Sequence, residues 1–301
     1  MTHISVIAND KGGVAKSQVV VHLAAALARA GKRVLVVDMD PQANATRRLG
    51  IKLDRSNLYV SVSEVIKADA EAAGHGHTIA CRWINEETNE PTPEAQMIDV
   101  LPSRQDLVNR ESEAAVLGSN RRLRKALSGG WLEESYDVVL IDTQPTLGPL
   151  TQMSMTAAHT TLIPVTAAYD AFEGALRVRA FVEQHASDLA NPDLHVGGVI
   201  ITRYRAQLSE EEFQAANIRE EFGDLVWRLT GKYKLTRSED SQTGLIPRYI
   251  PEWTRFGEAD SAAASLTAWN DLKGRQSVAV FDALARTYIA RFLDKAKEQV
   301  A

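Results

Sequence analysis

Asn9-Asp10-Lys11-Gly12-Gly13-Val14-Ala15-Lys16-Ser17 joins an apolar run at residues 4–8 to a helical pattern with apolar positions at Val20, Leu23, Ala24 and Leu27. A glycine-rich loop between a strand and a helix lets backbone N–H groups wrap a phosphate, and the helix N-terminus adds positive potential. Lys16 supplies a mobile charge for terminal phosphates, and the Ser17 hydroxyl is placed to ligate Mg²⁺. The nucleotide-binding set expected here is Gly12, Gly13, Val14, Ala15, Lys16, Ser17 and Gln18. The competing reading is a plain glycine turn.

Two further segments weigh against that turn. Asp38-Met39-Asp40-Pro41-Gln42-Ala43-Asn44-Ala45-Thr46 follows the next apolar run and sets two carboxylates at a strand's C-terminal edge, where ligands bind in open α/β sheets. Asp-Pro alone would suggest a turn or a helix N-cap. In Tyr136-Asp137-Val138-Val139-Leu140-Ile141-Asp142, an apolar strand delivers Asp142 to its end, facing the glycine loop, in the arrangement that holds Mg²⁺. One buried strand capped by Asp is common by chance; three such motifs in this order are not.

The loop departs from G-x-x-x-x-G-K-[ST] at both end glycines, replaced by Asp10 and Ala15, and carries a second lysine, Lys11. This K-G-G-x-x-K-[ST] form resembles the deviant P-loop of the ParA/MinD family of ATPases, and residues 37–46 are similar to that family's second motif. The resemblance implies that Asp38, Asp142 and Ser17 serve Mg²⁺ and its water shell. It implies catalytic roles for Lys16, for Asp40 on the attacking water, and for Lys11, which it adds to the nucleotide-binding set because Lys11 would cross a dimer interface to the partner's phosphates. Two facing ATP molecules bring like charge together, and a lysine from each subunit offsets it. Without the resemblance, Lys11 reads as a solvated loop lysine.

Shorter matches at residues 98–103, 162–165, 172–174 and 245–248 fall in the family's order. Gln144 stands where the family usually has the first proline of Asp-x-Pro-Pro, which relaxes a rigid turn. Residues 201–205 look like the family's adenine segment, so Arg203 and Pro247 are expected at the base. Arg205 replaces the usual Asn or Asp; Arg only donates and cannot read the adenine edge as Asn does. ATP rather than GTP follows from the resemblance alone.

The chain has 301 residues, 45% hydrophobic and 24% charged, which suits a globular fold. Apolar runs at residues 4–8, 33–37, 97–101, 138–141, 160–165 and 196–202 alternate with helical patterns at 16–30, 104–128, 147–157 and 172–185. That alternation predicts an α/β fold, a doubly wound, mainly parallel sheet flanked by helices on both faces. A single P-loop domain over 1–301 is expected, with an exposed insertion at 69–95, a loop at 232–243 and a C-terminal helix at about 278–298. With the first strand starting near residue 3, an N-terminal helix-turn-helix domain has no room. The single cysteine, Cys81, excludes an internal disulfide and fits a reducing cytoplasm. It also cannot meet the two-cysteine requirement of the related iron proteins that bridge a cluster. No terminal tyrosine cluster of the tyrosine-kinase branch is present.

Net charge is −5, from 34 Lys+Arg and 39 Asp+Glu, so any nucleic-acid contact needs a local basic patch. The candidates are Arg203, Arg205, Lys232, Lys234, Arg237, Arg248, Arg255, Lys273 and Arg275. A ParA-type resemblance implies an ATP-bound homodimer on nonspecific double-stranded DNA, a ParB-type centromere-binding adaptor, and a cytoplasmic, nucleoid-associated location. The MinD-type alternative would end in a basic membrane helix. Residues 288–298 carry Asp294 and Glu298 and few bulky apolar groups, so no stable membrane anchor is expected.

Overall fold

The computed structural model describes residues 2–52, 59–236 and 242–294. Runs of Val, Ile and Leu buried on both sides become central strands: β1 (His3–Ile7), β2 (Val34–Met39), β4 (Ile98–Leu101), β5 (Val138–Thr143), β6 (Thr160–Thr166) and β7 (His195–Thr202). Together with the edge strand β3 (Ile79–Ala80) they form one sheet in the order β3-β4-β2-β5-β1-β6-β7. Every pairing is parallel except β3 with β4.

Period-two alternation splits each strand between two cores. Leu35, Val37, Val139 and Ile141 face helices α3 (Val62–Lys67), α4 (Arg122–Ala126), α5 (Gly130–Ser135), α6 (Pro149–Ala157), α7 (Tyr169–His185) and α8 (Ser209–Phe222). Val34, Val36, Val138 and Leu140 face α1 (Lys16–Arg29), α2 (Asn44–Arg48), α9 (Thr254–Ala262) and α10 (Leu272–Tyr288). The expected doubly wound architecture is present. Helix α1 is buried almost all round because α10 covers the side that the sheet does not. No helix among the described residues is long and apolar enough to cross a membrane.

Several sequence expectations need correction. The helix expected over 104–128 is instead 3₁₀ structure at Gln105–Ala115 and Ser119–Arg121, followed by the short α4. Only Leu107 of the first 3₁₀ segment is buried and Leu117 is fully exposed, so no apolar stripe exists to hold an α-helix. Gly118, at φ 80°, then breaks the direction.

The segment 69–95 is exposed around 85–91 but not throughout. Cys81, Trp83, Thr92, Glu94 and Ala95 are buried, and the Trp83 indole N–H donates to the Arg48 carbonyl at 2.7 Å. Residues 232–243 are not merely a loop. Strand β8 (Lys232–Lys234) pairs with β9 (Thr243–Leu245) in a separate antiparallel ribbon that does not join the main sheet. Helix α10 starts before residue 278 and runs into a π-helical turn at Ile289–Leu293; residues 295–301 lie outside the described residues.

Trp83 gives the first test. If it is a core residue, Trp83→Ala should destabilise the fold by about 3–5 kcal/mol, as deletion of a buried ring does. Urea unfolding would read this as a fall in midpoint at unchanged m; a shift within error would restore the exposed-insertion picture.

Candidate nucleotide site

Strand register assembles the site. Ile7 and Asp38 both lie opposite Asp142 on β5, so the entrance to the glycine loop and both carboxylate motifs reach the same C-terminal edge. Asp40 follows one residue beyond β2.

The loop is held tightly at its start. Asn9 is buried and its Nδ2 donates to the Pro164 carbonyl at 2.7 Å. Gly174 of α7 permits this approach, since a Cβ there would stand 2.5 Å from Asn9 Oδ1. Val14 is buried and its carbonyl accepts from Thr202 Oγ1 at 3.1 Å. Gly12 and Gly13 are exposed, Gly13 at φ 81°. Ala15, standing where the general motif has glycine, adopts φ 63°, a left-handed conformation that costs an L-residue roughly 1–2 kcal/mol. Such strain persists only where surrounding contacts enforce it.

Lys16 is buried and curls over the loop, donating from Nζ to the carbonyls of Asn9 (3.3 Å) and Lys11 (3.1 Å). Burial lowers its pKa, opposed by Asp142, Asp40 and Asp10. Lys11 instead pairs with Asp170 of α7 at 3.0 Å, and Asp10 pairs with Arg177 at 2.7 Å.

Asp38 is fully buried. Oδ2 accepts from the Thr46 backbone N–H (2.8 Å) and hydroxyl (2.7 Å), and Oδ1 accepts from the Asp40 N–H at 3.2 Å. Thr46 Oγ1 in turn accepts from the Ser103 N–H at 3.0 Å, which gives residues 98–103 their place in the motif order. Burial raises the Asp38 carboxyl to about 6 against those hydrogen bonds. Asp142 is also fully buried, and neither oxygen accepts a hydrogen bond of ordinary geometry, although the Ser17 hydroxyl lies close enough to favour its charged form. Burial first and the Asp38 charge second raise it to about 8; Ser17 and Lys16 oppose the rise only in part. Asp40 is buried as well, at 7% exposure, its Oδ1 accepting from the Gln42 N–H at 2.9 Å.

Unpartnered carboxylate oxygens beside a second carboxylate and a serine hydroxyl are the donor set of a hard, oxygen-loving cation, so Ser17, Asp38 and Asp142 fit Mg²⁺.

The base-side candidates come together only partly. Gln18 and Arg203 line one cleft of about 520 Å³ with Arg48, Trp253 and Asp260. Pro247 lines a neighbouring cleft with Tyr204 and Arg205; the two share Pro251, Glu252 and Trp253. Arg205 is bound by Glu211 at 2.5 Å and Glu252 at 3.4 Å. Sequence reasoning missed Trp253 and Asp260, although Asp260 accepts from Gln18 Nε2 at 3.0 Å. Asp260 lies on helix α9, 242 residues from Gln18 in sequence, so no local spacing could join them.

Several basic candidates have structural work. Arg255 has a side chain only 12% exposed, between Glu258 and Asp271 and over the Trp269 ring. Arg275 donates to the carbonyls of Asn270 and Leu235. Lys232, Lys234, Arg248 and Lys273 are exposed and pair with no carboxylate among the described residues; Arg237 lies outside those residues.

A strand–glycine loop–helix cradle with convergent buried carboxylates defines a P-loop nucleotide-binding protein. A family model described as an AAA domain matches residues 1–196. The chain is 35% identical over 221 residues to the chromosome-partitioning ATPase Soj of Thermus thermophilus, 73% of this chain and 77% of that protein. It is 32% identical over 290 residues to the chromosome partitioning protein ParA of Caulobacter vibrioides, 96% of this chain and 94% of the relative. The chain therefore belongs to the ParA-type P-loop ATPase family. Cobyrinic acid a,c-diamide synthase from Mycobacterium smegmatis, solved with bound ADP and magnesium, superposes with a TM-score of 0.69 at 25% identity, over 98% of this chain and 97% of that one.

The raised Asp142 carboxyl has a pH signature. The folded, ligand-free protein keeps this proton where the unfolded chain has lost it, so stability falls as pH rises from about 4 to about 8. Asp38 adds the same sign up to about 6. Asp142→Asn should therefore melt above wild type near pH 8, with the advantage shrinking toward pH 5. Thermal unfolding in chelator across that range checks it; a pH-independent difference would contradict the buried-carboxyl account.

Proposed function

We propose that this protein is an ATP-driven partition or positioning ATPase, which hydrolyses ATP to ADP and phosphate and uses the cycle to move a large cargo. The reading is carried by the fully buried, unpartnered Asp142 oxygens beside Asp38, with Ser17 and Lys16 opposite. The relatives named for chromosome partitioning support the cargo-moving role.

In this reading the loop amides from Gly12 to Ser17 cradle the phosphates, and Lys16 leaves its carbonyl partners for the β- and γ-oxygens. Bound Mg²⁺ would neutralise developing phosphate charge. Asp40, just beyond the end of β2, orients the attacking water. Gln18 and Arg203 border the base, with Pro247 in the adjoining cleft. Lys11 exchanges Asp170 for the phosphates held by a second protomer, so ATP drives dimerisation and hydrolysis reverses it. Hydrolysis is slow and is accelerated by a ParB-type adaptor in the cytoplasm, at the nucleoid.

Nonspecific duplex binding would use the exposed Arg228, Lys232, Lys234 and Arg248. These are neighbours, because the Leu229 N–H donates to the Arg248 carbonyl and the Ile246 N–H to that of Gly231. Arg286 reaches the Thr230 carbonyl beside them. Arg255, engaged by two carboxylates, is withdrawn from this surface.

Two variants separate the steps. Lys11→Ala should bind ATP but remain monomeric, whereas Asp40→Ala should bind, dimerise and stall, since it acts on water alone. Light scattering with ATP·Mg²⁺ distinguishes them, and monomeric behaviour in both would sink the lysine-exchange model.

The basic patch makes duplex binding ATP-dependent and steeply salt-sensitive. Arg248→Ala should weaken it on all sequences alike and flatten the log–log salt slope by about 0.9 for each DNA phosphate that is no longer neutralised. Salt titrations of wild type and variant read this out. Liposome sedimentation alongside them, with binding there and no ATP-dependent duplex binding, would favour a membrane-acting relative instead.

A further inference from the structure

The loop after Asp142 carries an attachment that the nucleotide site does not explain. Gln144 Nε2 donates to Glu111 Oε1 at 2.5 Å, a charge-assisted bond between half-buried side chains. Glu111 belongs to the 3₁₀ segment Gln105–Ala115, and no Lys or Arg lies within 4.0 Å of its carboxylate among the described residues. Its neighbour Glu113, by contrast, is saturated by Arg110 and Arg122. That ion pair, together with buried Leu107, ties the 3₁₀ segment to α4 and makes it a firm anchor.

What the anchor holds faces the phosphates. A Cβ built on Gly12 would lie 3.9 Å from Pro145 Cβ, so the turn beginning at Gln144 rests against the glycine loop. The bond lies beside Gly148, where a Cβ would be in ordinary contact with Gln144 Nε2 at 3.6 Å and Glu111 Oε1 at 3.9 Å. A residue other than proline at 144 frees φ in this turn, and the side-chain tether offsets that freedom.

We infer that Glu111 is a positioning residue: through the Gln144 amide it fixes the turn 144–148 against the glycine loop, beside where a terminal phosphate sits. This rests on the nucleotide-site reading above. The turn touches the terminal-phosphate side and not the base clefts, so the tether governs triphosphate turnover while leaving diphosphate affinity alone.

Hydrogen exchange on the ligand-free protein tests the tether itself. Glu111→Ala should speed exchange of amides 143, 144 and 146–148 about tenfold. It should also lower kcat for ATP about fivefold while ADP affinity stays within about twofold. Glu111→Gln keeps an acceptor oxygen for the Gln144 amide and should restore both readouts. Gln144→Pro rigidifies the turn directly, and in that background Glu111→Ala should have no further effect. Unchanged exchange in Glu111→Ala overturns the inference, as does an equal loss in Glu111→Gln or in the proline background. If wild type instead failed to bind ATP, the site reading would fall, and the exchange data would still decide whether the tether exists.

Discussion

Two carboxylates buried side by side at the end of a parallel sheet, Asp38 and Asp142, constrain everything around them. Their β-strands pair in register, so they cannot move apart, and burial denies them water. An isolated buried carboxylate is strongly disfavoured and takes up a proton unless something positive approaches. Asp38 is satisfied by Thr46 and the chain turn at Asp40; Asp142 is left bare. In the ligand-free protein Asp142 therefore keeps its proton to about pH 8, and an approaching cation would favour its release.

The phosphate loop is organised around the same edge. Asn9 and Val14 are bonded to β6 and β7, Gly174 lets α7 close on the loop, and Ala15 is forced into a left-handed turn. Both lysines are occupied meanwhile, Lys16 by loop carbonyls and Lys11 by Asp170. Exposed ion pairs contribute little and exchange readily, so the Lys11 contact is easily given up, whereas the backbone bonds that shape the loop persist.

Around this centre, polar contacts decide what is available for recognition. Arg255 and Arg275 look alike in sequence to Arg248. The first two are bound by carboxylates or carbonyls, whereas Arg248 is exposed and pairs with no carboxylate among the described residues. Arg205, conspicuous as a departure from an adenine-reading residue, is held by Glu211 and Glu252. Asp260, far from Gln18 in sequence, bonds it in the cleft that Arg203 also lines.

Read alone, the sequence determined the alternating α/β architecture, because buried parallel strands must be continuous apolar runs and their covering helices must be amphipathic. It also determined the phosphate loop and its three carboxylates, whose chemistry demands fixed residue types at strand ends. Local spacing carries both kinds of information. It could not separate the 3₁₀ run at 105–115 from a helix, since what differed was the absence of anything to pack on. Nor could it reveal that Trp83 enters the core or that the 243–245 strand pairs outside the main sheet. Which arginines are already engaged, which cleft Arg203 shares, and that Glu111 grips Gln144 were decided by tertiary structure alone. The Glu111–Gln144 bond joins residues 33 positions apart, which meet only when the 105–115 segment and the start of α6 pack on the same face of the sheet.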